Sequence, residues 1–260
     1  MTDTSTRPHH RDDKEFMTTL AKGLAVLGAF GRQRPTITLS EAAAIAGLTR
    51  ATARRVLRTL AELGYVEQDG RAFSLSPRIL DLGFAYLSTQ SWIDRALPHM
   101  RELSERLGET CSGAILQDAE IVYVARVPAR RIMSTALSVG SRLPAFHTAL
   151  GRALLGNLDE AEVWRRLRSL RIQAYTPYTI TEIEALFDRI RADCEQGFSI
   201  VDEELEGGLR ALAVPVLDRS GQTVGAINLS THSTRTTRNE MRDTFLPALQ
   251  QIAERVSQSI

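Results

Sequence analysis

Most of what marks catalytic and membrane proteins is missing from these 260 residues. No run of about 18 apolar residues occurs, and Met1 to Arg11 is polar with paired histidines, so neither a membrane-spanning helix nor a signal peptide is expected. The two cysteines, Cys111 and Cys194, stand far apart and in no metal-spaced cluster. They are read as buried small hydrophobes, reduced, in a cytoplasmic protein. There is no Gly-x-Ser-x-Gly elbow, phosphate loop, dinucleotide glycine fingerprint or His-Glu-x-x-His pair. Cys111 and His147 can be imagined as nucleophile and base, yet nothing in the sequence brings them together. The expectation is no catalytic residue, no metal and no cofactor.

What is present is enough for a real core and for two domains: 260 residues, 43% of them apolar. The net charge of +1 conceals an asymmetry. The first 78 residues hold 12 basic and 8 acidic side chains, the remainder 20 and 23. A polyanion partner would therefore meet the N-terminal part.

Residues 1–15 mix charge, Pro8 and histidines without periodicity, as a mobile arm does. Leu20, Leu24, Leu27 and Phe30 recur at helical spacing and stop at Gly31. After Pro35, Thr38-Leu39-Ser40-Glu41 has capping-box form and opens a short helix ending at Gly47. Thr49 then caps a third helix, Arg50 to Leu63. At about 100° per residue, Ala53, Val56, Leu57, Leu60 and Leu63 gather on one side. Arg50, Arg54, Arg55 and Arg58 fall opposite, within roughly 140°. No acidic residue lies between Glu41 and Glu62, so the strip is expected to lack i, i+4 carboxylate partners. Two helices joined by Gly47-Leu48, the second starting with bare arginines, match a helix-turn-helix and its recognition helix. An ordinary solvated basic face is the competing reading.

Tyr65 to Gln68 and Arg71 to Leu75 flank Asp69-Gly70, a hairpin signal that sets Val66 opposite Phe73 and makes a wing with Arg71 near its tip. Ser76-Pro77 opens a linker helix carrying Ile79, Leu80, Phe84 and Leu87, with Ser76 as N-cap. Beyond it the sequence predicts a long helix from Trp92 to Leu107 and a hairpin of Cys111 to Gln117 with Ile121 to Val127. A third strand is expected near Ile132 to Leu137. Helices follow at Thr148 to Leu155, Asp159 to Leu167 and Glu182 to Glu195, the last two opened by capping boxes at Asp159-x-x-Glu162 and Thr181-x-x-Glu184. Strands return at Phe198 to Val201, Leu209 to Leu217 and Thr223 to Leu229, and a final helix runs from Arg238 to Ser257. The fold class is α+β with a largely antiparallel sheet. Its expected domains are an arm (1–15), a winged helix-turn-helix (16–76), a linker helix (77–90) and a C-terminal domain (91–260).

This order of elements resembles the IclR family of bacterial transcriptional regulators, with a GAF-like effector domain as the body. The resemblance is carried by Leu48 to Arg55, Gly64-Tyr65-Val66 and Phe73-x-Leu75. Val139 to Ala145, Gly151 to Leu155 and Asp202-Glu203-Glu204-Leu205-Glu206-x-Gly208-Leu209-Arg210 add to it. Together these look like the branch that governs aromatic-acid and β-ketoadipate catabolism. The resemblance implies DNA contacts from Thr49, Arg50, Thr52, Arg54, Arg55 and Arg58, with Arg71 from the wing. It also implies an effector pocket lined by Thr148, Ala149, Leu150, Ala211, Asn228 and Ser230. Some relatives carry an acidic residue at the position of Val201 and a cysteine at that of Ala211; this chain departs from them there.

The chemistry of the pocket follows from residue types. A helix start at Thr148 offers N–H groups to a carboxylate, with Phe146 and His147 on its threshold. Arg126 at a strand end can supply a bidentate partner; a surface ion pair competes with that reading, and a packing role competes for His147. Asn228 and Ser230, two apart on a strand, share a face. Met133 and Leu150 would wall the carbon skeleton. Arg130-Arg131 and Arg165-Arg166 are read as solvated charge. The expected partners are double-stranded operator DNA, a small organic acid and a second copy of the chain, with a tetramer left open. Alternatives are a regulator of another carbon-catabolic pathway and a sensor that acts through protein contacts rather than DNA.

Overall fold

Residues 15–129 and 137–260 are described by a computed structural model. Local signals dominate the first of its two units, which ends at Tyr86. Helix α1 (Thr18–Leu27) closes at Gly28, earlier than its periodicity predicts, because Ala29 and Phe30 continue only as tight turns onto Val26 and Leu27. Strand β1 (Thr36–Thr38) leads into α2 (Leu39–Ile45). Its capping box is complete: Thr38 Oγ1 accepts from the Glu41 amide at 3.3 Å and the Glu41 carboxylate accepts from the Thr38 amide at 2.7 Å. Gly47 turns the chain at φ +63° into α3 (Arg50–Glu62). Strands β2 (Val66–Asp69) and β3 (Ala72–Leu75) follow, then α4 (Ile79–Leu87). The three strands form an antiparallel sheet in the order β1-β3-β2. Val26, Ile37, Ala42, Val56, Leu57, Leu60 and Val66 fill the core beneath it.

Two expectations for this unit need correction. The wing pairs Asp69 with Ala72 and Val66 with Leu75, so the turn is Gly70-Arg71 and Val66 does not face Phe73. Gly70 takes the left-handed conformation at φ +56°, which places Arg71 in the turn itself. The linker helix starts two residues later than its Ser-Pro signal. Ser76 still accepts from the Arg78 amide, at 3.2 Å, but its hydroxyl also donates to the Gly64 carbonyl and so ties the turn to the end of α3.

The second unit is built on one six-stranded antiparallel sheet in the order β6-β5-β4-β9-β8-β7. Its elements are α5 (Ser91–Leu107), β4 (Thr110–Gln117), β5 (Glu120–Val127), β6 (Arg142–Pro144), a 3-10 turn (Ala145–His147), α6 (Ala149–Leu155), α7 (Glu160–Arg168) and α8 (Ile183–Gln196). Then come β7 (Ser199–Asp202), β8 (Leu209–Leu217), β9 (Thr223–His232), α9 (Arg238–Glu240) and α10 (Leu246–Ser257), with a π-helical turn at Met241–Phe245 before α10. Alternation sorts the side chains. Leu212, Val214, Ile227 and Leu229 join α5 and α10 in one core, while Ala211, Ala213 and Ala226 face α6, α7 and α8 in another. Gly225 is required on the first face, since the Trp92 ring lies where its Cβ would sit, and a Cβ at Gly113 would press the same ring at 3.1 Å.

The capping boxes expected at Asp159 and Thr181 do not form. Neither Asp159 nor Glu182, the residues that precede α7 and α8, makes a side-chain cap; in α7, Glu162 is taken by Arg165 and Arg166. A box the periodicity did not show closes instead at Thr237 and Glu240. The strand expected near Ile132 to Leu137 falls on 132–136, outside the described residues; the edge strand seen is β6. Cys111 is buried as expected, whereas Cys194 is exposed.

Candidate functional site

Helix α3 presents two faces: Ala53, Val56, Leu57 and Leu60 are buried, and Arg50, Arg54, Arg55 and Arg58 are exposed. Leu63, expected on the apolar side, lies beyond the last helical residue as its C-cap and is 53% exposed. Thr49 caps the start of the helix, accepting from the Thr52 amide at 3.2 Å and sharing a 2.9 Å hydrogen bond with the Thr52 hydroxyl. One arginine does have a carboxylate partner. Arg58 Nε donates to Glu62 at 3.2 Å, an i, i+4 pair that the gap before Glu62 concealed. Among the described residues Arg50, Arg54 and Arg55 make no ion pair. At the wing tip Arg71 is exposed, and Gln68 braces the turn by donating to the Gly70 carbonyl at 2.9 Å. Arg78 is spent on architecture, with Nη1 on the Leu63 carbonyl at 2.8 Å and the guanidinium over the Tyr65 ring.

The second unit holds a cavity of about 510 Å³. The ladder explains its floor. Arg126, Ser112 and Asn228 lie in one row across β5, β4 and β9, and Thr110, Ser230, Ala211 and Val201 in the next row across β4, β9, β8 and β7. Residues two apart on a strand point to one side, so both rows face the same space. One wall is the entry to α6, His147 to Leu150, and another is the loop from Leu205 to Leu209. Eight of the nine effector residues expected from the sequence therefore meet around one cavity: Arg126, His147, Thr148, Ala149, Leu150, Ala211, Asn228 and Ser230. The ninth, Met133, lies outside the described residues, as do Arg130 and Arg131.

Arg126, Glu206 and Arg235 are the charged side chains that line this cavity among the described residues. Arg126 is half-buried, its guanidinium donates to Ser112 Oγ at 3.3 Å, and burial pulls its pKa below the ordinary arginine value. Among the described residues it makes no ion pair. His147 is buried, with Nδ1 lacking a partner. Burial, helped by the charge of Arg152, lowers its pKa to about 4, so the ring is neutral at pH 7 and meets Tyr175 edge-on at 5.6 Å. Asn228 Oδ1 is likewise buried and unpartnered. Thr148 caps α6 through the Gly151 amide at 3.1 Å, and Gly151 is required because a Cβ there would enter the Ala145 backbone.

Several lining residues had no sequence signal. Tyr123 is a cross-strand neighbour of Ala114 and Arg235 comes in from the turn after β9, its guanidinium 3.3 Å from Glu109. The Leu205–Leu209 loop was visible only as part of a motif. It is set by Glu203 at φ +61°, whose carboxylate accepts from the Gly208 amide at 2.8 Å, and by Arg210 against Asp202 at 2.6 Å. Arg165 and Arg166, read as solvated charge, both pair with Glu162, and Arg166 also donates to the Asp118 carbonyl.

A winged helix with a cationic recognition face, joined in one chain to a domain with a polar-lined cavity, is the architecture of a ligand-responsive DNA-binding regulator. The comparisons agree. The IclR helix-turn-helix domain matches residues 19–70, and the bacterial transcriptional regulator IclR C-terminal domain matches residues 84–258. The chain is 42% identical over 238 residues to the Pca regulon regulatory protein of Pseudomonas putida, covering 91% of this chain and 82% of that one. The crystal structure of a transcriptional regulator from Rhodococcus sp. RHA1 is 43% identical and superposes with a TM-score of 0.83, over 94% of this chain and 98% of that one. A double mutant of the PobR inducer-binding domain from Acinetobacter, solved with 3-hydroxybenzoic acid, is 29% identical with a TM-score of 0.61, over 65% of this chain and 98% of that one. The chain belongs to the IclR family of bacterial transcriptional regulators. Its relatives are named as regulators and not as enzymes, and among the described residues no helix is long and apolar enough to cross a membrane.

Proposed function

We propose that this regulator controls genes of aromatic-acid catabolism in the cytoplasm, binding its operator through α3 and the wing and answering a small carboxylated effector held in the 510 Å³ cavity. In this reading residues 16–76 read DNA, 77–90 link, and 91–260 sense. Thr49, Arg50, Thr52, Arg54 and Arg55 enter the major groove, while Arg58, partly neutralised by Glu62, and Arg71 meet phosphate.

The observation that carries the effector reading is Arg126, half-buried at the cavity edge with no carboxylate partner among the described residues. An acid supplies that carboxylate, and the Asn228 amide with the Ser230 hydroxyl takes a second polar group such as a phenol or keto oxygen. His147, neutral, and the entry to α6 complete the polar side, and Leu150 and Ala211 the apolar one. The 3-hydroxybenzoic acid bound by the PobR domain and the name of the Pca regulon regulator point to aromatic or β-keto acids as the class. Isothermal titration with protocatechuate, 4-hydroxybenzoate, 3-hydroxybenzoate and β-ketoadipate tests it. One of them is expected to bind, and Arg126→Ala to weaken it by about 1.5–3 kcal/mol while operator affinity without effector is unchanged. No heat from any of the four, in protein that still binds its operator, removes this ligand class.

The reading head is proposed to work as a two-fold dimer, which sets two recognition helices about 34 Å apart, or a multiple, on a pseudo-palindrome. Leu80 and Phe84 on α4 and Leu20 and Leu24 on α1 are all more than half exposed, an apolar surface that a second copy would cover. Light scattering at micromolar concentration is expected to give at least twice 28.8 kDa; a clean monomer rejects the dimer.

A further inference from the structure

Two walls of the cavity are not joined by the sheet. The α6 entry follows the 3-10 turn at Ala145–His147, and the Leu205–Leu209 loop leaves the ladder at Asp202 and returns to it only at Leu209. Between them lies one side chain pair that neither lines the cavity nor reaches solvent. Arg152, on α6, is wholly buried, and Glu204 nearly so. The guanidinium spends itself in three directions: Nε donates to the Phe146 carbonyl at 2.9 Å, Nη1 to Glu204 Oε1 at 2.8 Å and Nη2 to Glu204 Oε2 at 2.5 Å. Phe146 is the residue before His147, and Glu204 the residue before Leu205. A single planar fork is therefore bonded directly beside the first residue of each wall.

The far side of the loop is held as well. The Glu203 carbonyl accepts from the Thr176 hydroxyl and the Glu204 carbonyl from the Thr179 hydroxyl, each at 2.6 Å. Glu204 is thus gripped by its carboxylate from α6 and by its carbonyl from the segment before α8. A buried ion pair of this kind contributes little net stability compared with apolar side chains of similar size, since desolvation offsets the Coulomb gain. What it does supply is direction and distance, because a bidentate arginine and carboxylate meet in one plane only.

We propose that Arg152 and Glu204 form a cross-tie that fixes the separation of the two walls, making them positioning residues for the effector. The inference rests on reading this cavity as the effector site, and its test needs no ligand. In the double variant R152M/E204L of the full chain, the tie is replaced by apolar contact. The melting temperature is expected to stay near wild type, while the amides of 205–209 exchange with deuterium about tenfold faster and those of β8 and β9 keep their protection. Unchanged exchange in 205–209 overturns the cross-tie and leaves the pair a packing feature. Should the double variant fail to fold, E204Q, which keeps one of the two hydrogen bonds, is measured in the same way, with faster exchange at 205–209 expected and wild-type exchange again overturning the proposal. The stabilisation of each variant by 3-hydroxybenzoate is read beside it. A wild-type protein that 3-hydroxybenzoate fails to stabilise counts against that acid as effector and not against the tie.

Discussion

In the reading unit, Arg58 and Glu62 meet with 81% and 68% of their side chains exposed, and Arg50, Arg54 and Arg55 are exposed with no ion pair among the described residues. In the effector unit, Arg152 and Glu204 meet at 1% and 9% exposure, and Asp202 and Arg210 are almost as enclosed. Both regions are rich in arginine, and its work differs with solvent. A hydrated guanidinium costs the fold nothing to leave unpaired and remains available to a polyanion, which it binds by releasing counterions. A buried one has to be answered within the chain, and the answer fixes where two segments lie. Arg126 sits between these cases: half-buried, with no ion pair among the described residues.

The largest expected break in this contrast comes from Glu204→Ala. It strands the Arg152 charge in the interior and is expected to lower stability by about 3–5 kcal/mol in urea denaturation; a loss under about 1 kcal/mol erases the distinction between the units. Next are Arg54→Ala and Arg55→Ala. A base-reading arginine is expected to lose about 1–3 kcal/mol of operator discrimination, and a phosphate contact to reduce the salt slope by about one. Filter binding at several salt concentrations separates the two, and unchanged affinity and slope in both variants would mean that the wrong surface has been chosen.

A smaller effect belongs to His147. Its folded pKa, about 4, lies below the ordinary value near 6.5, so the unfolded chain takes up the proton first as pH falls. Its neutral state costs no stability above about 6.5, and stability declines from there toward pH 4. His147→Gln is expected to shallow the fall in melting temperature between pH 7 and pH 5; a parallel fall in both proteins rejects this origin. The smallest effect is Arg58→Ala, with an exposed pair expected to change stability by about 0.5 kcal/mol or less. A larger loss would show that exposed charge is structural in this unit too.

What could be read from the sequence divides along the same line. The α3 strip and the Thr38–Glu41 box were legible because every group involved lies within one or two helical turns. The wing was legible as a hairpin, but its register was not: Asp69-Gly70 and Gly70-Arg71 are both two-residue turns in the same string, and the observed pairing of Asp69 with Ala72 decides between them. Glu162 was assigned to the Asp159 box when Arg165 and Arg166 compete for it one turn ahead. Ala211 came from the family resemblance, whereas Asn228 and Ser230 came through because strand alternation reports facing. Tyr123, Arg235 and the tie between Arg152 and Glu204 did not, since they depend on which strands lie side by side and on partners up to 126 positions apart.

The alternation of β8 and β9 has one more consequence, for how such a protein can change. In β9, Ile227 and Leu229 belong to the core under α5 and α10, while Asn228 and Ser230 face the cavity; in β8, Leu212 and Ala211 divide in the same way. Substitutions at the cavity positions can therefore explore new ligands without disturbing the packing on the opposite side of the sheet. An insertion or deletion of one residue in either strand is a different event, since it exchanges the two sets of side chains at a stroke. Drift in specificity within this architecture is thus expected to proceed by replacement, with the lengths of these strands held constant.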